Sequence, residues 1–145
     1  MFTQTIEMTQ LVSNDSYQLI TDEQLAASVI TSQILAGSRI HMSTYRQVVF
    51  SECVFYACEF QGVVFENCVF ENCSFEFSHL RKCKFKNCNF TNCTFKATSS
   101  INSNYEDCDL DKDMSDMTQT GRNLISFSRK DDYTTDIYIE LAMAA

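Results

Sequence analysis

Between Ile40 and Leu110 a large apolar side chain returns at every fifth position: Ile40, Tyr45, Phe50, Phe55, Phe60, Phe65, Phe70, Phe75, Leu80, Phe85, Phe90, Phe95, Tyr105 and Leu110, with Ser100 the one interruption. Small side chains stand two residues before these centres. All eight cysteines fall in that register, at Cys53, Cys58, Cys68, Cys73, Cys83, Cys88, Cys93 and Cys108. Random placement would put eight cysteines in one register of five with odds of roughly one in 80,000, by template counting. A period of five fits neither the α-helix, at about 3.6, nor the strand, at about two. It requires a chain that turns a corner every five residues, with a large residue inward at the centre of each side and a small one near the corner.

The units FENCV, FENCS, FKNCN and FTNCT resemble the pentapeptide-repeat family, in its Phe-centred, Cys-rich variant. The resemblance covers about half of the chain, and the residue before the centre departs from it, being often Val or Glu rather than Asp or Asn. It implies an all-β solenoid, a right-handed quadrilateral β-helix with about 20 residues per coil. Residues 20 apart then stack, so Phe50, Phe70, Phe90 and Leu110 form one column and Phe55, Phe75 and Phe95 another. At a strand spacing of about 4.8 Å the coils make a rod of roughly 18 Å.

Such a rod needs covers at both ends. Thr21 and Gln24 form a capping-box pattern, with Ile20 and Leu25 as its hydrophobic staple. Leu25, Val29, Ile30 and Ile34 share a helical face, and Gly37 suits the position after a helix. A helix is therefore expected over about 21–36, inside an N-terminal capping segment of residues 1–37. Residues 2–20 alternate loosely and suit strands around Asn14-Asp15. The β-helix is expected over 38–115, and a C-terminal capping or dimerisation segment over 116–145. Residues 123–143 read equally as two strands about Lys130-Asp131-Asp132 or as a closing helix. The resemblance adds a possible end-to-end homodimer through this C-terminal segment.

Composition narrows the function. The net charge is −8, which argues against direct nucleic-acid binding, since that needs a basic footprint; a basic partner is permitted. No stretch approaches 18 apolar residues, so no membrane-crossing helix is expected. The N-terminal MFTQTIEMTQ lacks the basic start and apolar run of a signal peptide, and a cytoplasmic location is expected. The cysteine spacing of five is not that of a zinc site, and parallel stacked side chains suit a disulfide poorly, so the thiols are expected to be core. His79 is expected outward, above Glu59. No nucleophile motif or glycine-rich phosphate loop is present. The expectation is a non-enzymatic protein without catalytic residues, metal or cofactor.

Charge is distributed unevenly. Residues 52–76 carry five Glu and no Lys or Arg, residues 106–116 are again acidic, and Arg81, Lys82, Lys84 and Lys86 form a basic band between them. The candidate partner-binding residues are Glu52, Glu66, Glu71, Glu76, Asp107, Asp109 and Asp111. The resemblance implies DNA mimicry, directed at a type II topoisomerase as in fluoroquinolone-protecting members, or at a defence-nuclease complex as an anti-CRISPR-type inhibitor would engage. The repeat is shorter than in gyrase-protecting members and no protruding loop interrupts residues 50–95, which points away from the gyrase version. Duplex DNA carries one charge per about 1.7 Å, or roughly 11 over such a rod. Residues 50–110 carry eight acidic and five basic side chains, a net of −3, so only local mimicry is expected, best on the side of Glu52, Glu71, Asp109 and Asp111, which have no basic residue beside them in the stack except Lys112. The plainer alternative is an ion-pair ladder, with Glu66, Lys86 and Glu106 stacked, as are Glu76 and Lys96. Asn67 with Asn87 and Asn72 with Asn92 read as amide ladders. A second function class, a structural adaptor, is suggested by Val49, Val69, Val54 and Val64. These form an outward apolar strip that either packs under the N-terminal segment or meets a partner.

Overall fold

The computed structural model describes residues 4–5, 19–110, 117–128 and 136–140. The five-residue comb produces its corners by backbone conformation. From Asp22 to Asp107 every fifth residue, two places after each centre, has a left-handed φ near +50 to +64°. Asn holds five of these positions, at Asn67, Asn72, Asn87, Asn92 and Asn102, because it tolerates this region better than other side chains with a Cβ. Between corners lie three-residue strands such as Val69–Glu71 and Ser74–Glu76.

Four faces result, and each is a parallel sheet. Face I carries the centres Ile20, Ile40, Phe60, Leu80 and Ser100. Face II carries Leu25, Tyr45, Phe65, Phe85, Tyr105 and Ile125. Face III carries Ile30, Phe50, Phe70 and Phe90, and face IV carries Leu35, Phe55, Phe75 and Phe95. The fold is the expected all-β β-helix. Corner amides close the coils onto one another, as Asn72 N–H donates to Thr91 O at 2.9 Å and Asn67 N–H to Lys86 O at 2.8 Å.

The aromatic columns fill the interior. Phe50 and Phe70 lie 4.8 Å apart and within 6° of parallel, and Phe70 and Phe90 repeat this at 4.8 Å and 3°. Neighbouring columns meet edge to face, as between Phe65 and Phe70 at 71°. Stacking along a column and edge contacts across it are both favourable aromatic arrangements.

The helix expected over 21–36 is not formed. Gln24–Thr31 and Ile34–Ala36 are strands, and the coil geometry runs back to Leu19. The five-residue comb simply continues through Ile20, Leu25, Ile30 and Leu35. Ile20, Ile30 and Leu35 are buried, whereas Ile34, which the helical face required inside, is 74% exposed. The capping-box residues Thr21 and Gln24 flank the corner at Asp22 instead. At the other end the described residues show the strand alternative, with Leu124–Ser128 pairing antiparallel to Asp136–Glu140; Lys130-Asp131-Asp132 lie outside the described residues. So does the Asn14-Asp15 turn, while Gln4–Thr5 form a short strand paired with Ser28 and Val29.

Candidate functional site

The cysteines serve the backbone. Each sits two residues before a centre, buried, and donates its thiol to the carbonyl of the centre one coil below. Cys73 Sγ reaches Phe50 O at 3.3 Å, Cys88 Sγ reaches Phe65 O at 3.3 Å, and Cys108 Sγ reaches Phe85 O at 3.3 Å. Ser78 and Thr98 make the same bond with hydroxyls, each at 3.0 Å, to Phe55 O and Phe75 O. All eight thiols are free and buried. Burial pushes Cys83 up to about 12 and Cys58 upward too, the opposite of a reactive thiolate. Among the described residues no group of His, Cys, Asp and Glu is placed to hold a metal.

Polar side chains mark both ends of the aromatic run in the face II column, at Tyr45 and Tyr105. Tyr45 donates its hydroxyl to Glu23 Oε1 at 3.1 Å. Its phenol is pushed upward by burial, with the Glu23 charge adding to the shift. At the far end Tyr105 Oη meets Ser100 Oγ at 2.7 Å, and Ser100 Oγ donates to Asn123 Oδ1 at 2.9 Å. Asn123 Oδ1 also accepts from Ser103 N–H, and Asn123 Nδ2 donates to Ser100 O, both at 2.9 Å. The one break in the comb is thus the centre of a buried hydrogen-bond network. These polar groups are structural.

His79 faces outward as expected, with its Nδ1 against Ser99 Oγ. Glu59, one coil below in the same column, is engaged elsewhere: it meets His41 Nε2 at 3.1 Å and Arg81 Nε at 3.7 Å. A relay of carboxylate, imidazole and hydroxyl is not assembled there, because the carboxylate holds other partners.

The remaining charges sort by face. Face II carries Arg46 with Glu66 at 3.6 Å and Lys84 with Glu106 at 3.8 Å. The expected ladder through Lys86 is not the pairing observed: Glu66 pairs with Arg46, one coil below it in the same column, and Glu106 with Lys84 in a neighbouring column. Glu76 and Lys96 are in register but form no ion pair. The amide ladders are likewise absent: Asn67, Asn87, Asn72 and Asn92 hold left-handed corners, and neither pair shares a side-chain hydrogen bond among the described residues.

Face III differs from the other three. With its two bordering corners it carries Glu52, Glu71, Asp107 and Asp109 and, from Ala27 to Asp109, no Lys or Arg. Glu52 and Asp109 are exposed, and Glu71 and Asp107 half-buried. Glu52 and Glu71 adjoin, since Glu52 N–H donates to Glu71 O at 3.0 Å. Val29, Val49 and Val69 stack on the same face, half-buried. The described part of the N-terminal segment extends the edge of this sheet beside Val29 rather than lying over the valines. Of the seven candidate residues, Glu66 belongs to face II and Glu76 to face IV, and Asp111 lies outside the described residues. Val64 and Val54 likewise fall on faces II and IV. One surface residue that the sequence reading missed is Phe77, which stands at a corner, half-exposed; its signal was an aromatic side chain in a corner column otherwise held by Gly37, Ala57 and Ala97.

These features define a class: a parallel β-solenoid with a filled aromatic core, whose variable chemistry is all on its outer faces. Residues 37–94 match a family model described as pentapeptide repeats, in nine copies. Over that stretch the chain is built of pentapeptide repeats. Comparison with curated proteins finds no match. Among solved structures, a proposed glycosyl hydrolase from Parabacteroides merdae ATCC 43184 overlaps at 8% identity and a TM-score of 0.41, covering 75% of this chain and 74% of that one. A trypsin-treated variant of QnrB1, a plasmid-mediated fluoroquinolone resistance protein, overlaps at 11% identity and a TM-score of 0.34, covering 75% and 66%. A second such variant gives 14% identity and 0.36, covering 66% and 68%. Overlaps this slight carry no argument about function.

Proposed function

We propose that this protein is a non-enzymatic, cytoplasmic inhibitor that binds a nucleic-acid-handling protein through face III. The observation that supports this is the segregation of charge: Glu52, Glu71, Asp107 and Asp109 share the one face without a Lys or Arg among the described residues, while cations stand on the other three. Carboxylates on a convex, preformed sheet attract a basic surface and lose no conformational freedom in the backbone on binding. The mimicry is local. From Glu52 to Asp109 the face spans roughly 14 Å at the usual strand spacing, over which a duplex would present about eight charges. The partner is therefore a segment of a basic groove rather than its whole length, and a topoisomerase or defence-nuclease complex is the proposed target class.

A tagged pull-down from bacterial lysate, challenged with excess duplex DNA, tests the reading. Recovery of one nucleic-acid-handling protein that DNA releases, and that E52Q/E71Q/D109N fails to recover, is the expected result. A partner indifferent to both DNA and the triple variant overturns it. The valine column Val29, Val49 and Val69 supports a second reading, an adaptor that binds through an apolar strip; there V49T/V69T abolishes recovery and charge neutralisation does not. Pairing of two copies through the Asp136–Glu140 edge is part of the proposal, and light scattering across a concentration series tests it.

A further inference from the structure

Phe77 occupies a corner with φ of +52°. A bulky side chain is unfavourable there, and the ring is 48% exposed, so the residue fits neither its backbone nor its surroundings. The same corner column otherwise holds Gly37, Ala57 and Ala97, which leaves the ring standing proud. Met42, another large residue at a corner, lies over Gly62, where a Cβ would meet its sulfur. Phe77 has no such seat. Its recorded ring contact is Tyr56, itself 46% exposed, with centroids 5.6 Å apart at 71°.

The two coils of face IV below Phe77 are largely apolar outside. Ile34 is 74% exposed, Val54 above it is half-buried, Ala36 lies one coil below Tyr56 and Ala57 one coil below Phe77; Ser74 stands above Val54. Two carboxylates border this patch, Glu52 at the corner shared with face III and Glu76 beside Phe77, and neither forms an ion pair among the described residues. Lys96 stands one coil above Glu76, and Arg39 lies on the adjoining face I. The patch thus joins the acidic face III through Glu52.

We propose that the Tyr56–Phe77 corner is an anchor for a protein segment that presents an aromatic or aliphatic side chain beside a Lys or Arg. The apolar side chain packs against the two rings and Val54, and the cation meets Glu52 or Glu76. Exposed aromatics in a small-residue setting bordered by charge are the usual anchors of an interface. Only Glu52 is shared between this surface and the reading of face III, and Tyr56 and Phe77 lie on the opposite border of face IV, so a failure of the rings and a failure of Glu71 and Asp109 are separable.

The test is selection of random 12-residue displayed peptides on the immobilised full chain, with the F77N chain as counter-selection. Asn is the residue that five other corners carry, so F77N is expected to melt no lower than the native chain. Enriched peptides are expected to carry an apolar residue with a Lys or Arg within a few positions. F77N and Y56S each weaken their binding by about tenfold or more, and E71Q/D109N leaves it unchanged. The proposal is overturned if no peptide is enriched, if enriched peptides lack basic residues, or if they bind F77N as well as native. It is also overturned if the native chain dimerises and F77N is monomeric, since the occupant is then a second copy.

Discussion

At the scale of single residues, this fold asks two things of each position: a volume and one hydrogen bond. The column of Cys58, Ser78 and Thr98 shows that thiol and hydroxyl are interchangeable donors to the coil below. Cys73→Ser is therefore expected to cost no more than about 1 kcal/mol, within the range of a conserved hydrogen bond, by urea denaturation. Asn123→Leu is a different matter. It leaves Ser103 N–H and the Ser100 hydroxyl buried without their acceptor, and a loss of about 2–4 kcal/mol is expected from the unsatisfied groups. The break at Ser100 is visible in the sequence, but its reason is not. Its partners lie five and 23 residues away and belong to different sides of the coil, and no local pattern connects them.

At the scale of elements, the repeat was legible because inward and outward positions obey one strict period from Ile40 to Leu110. The N-terminal coil was harder. Leu25 and Ile30 satisfy both a helical face and the five-residue comb, and a capping-box pattern tipped the reading toward helix. Burial separates the two templates: Ile30 is inside and Ile34 outside. Ile30→Ala is expected to lose about 2–5 kcal/mol as a core truncation, while Ile34→Ala stays within about 0.5 kcal/mol. A helix would have made the two losses alike. The antiparallel strand at Asp136–Glu140 was one of two open readings, since a run such as IYIELA suits either a strand or a buried helix.

At the scale of the whole molecule, Cys83 and the two buried tyrosines act together. Cys83 is raised from 9.0 to about 12 by burial, and burial raises Tyr45 and Tyr105 as well. A group held neutral in the folded chain contributes its full stability below its unfolded pKa and loses it as pH rises through the folded value. Stability is therefore expected to be level up to about pH 9 and to fall progressively toward about pH 12. Urea midpoints across that range check this, and Cys83→Ser should make the decline shallower. The charge map was only partly legible at this scale. The sequence count showed the acidic excess, but which carboxylates find cations depends on side-chain reach across columns, as Glu106 with Lys84 rather than Lys86 demonstrates.

The corner at every fifth residue makes the rod a stack of rings that can be rotated by editing. Most sides of a coil accept the same large-and-small pair, so excising five residues, such as 91–95, shifts everything beyond the cut by a quarter turn while the five-residue comb stays in step, with Tyr105 seated on Leu80, Leu110 on Phe85 and Ser100 on Phe75. Asp107 and Asp109 would then stand on a different face from Glu52 and Glu71. Excising a full ring of 20 restores the alignment and only shortens the rod. Surface identity in this molecule is thus set by residue count modulo 20 and core identity by residue count modulo five, so insertions too small to disturb folding can scramble everything a partner recognises.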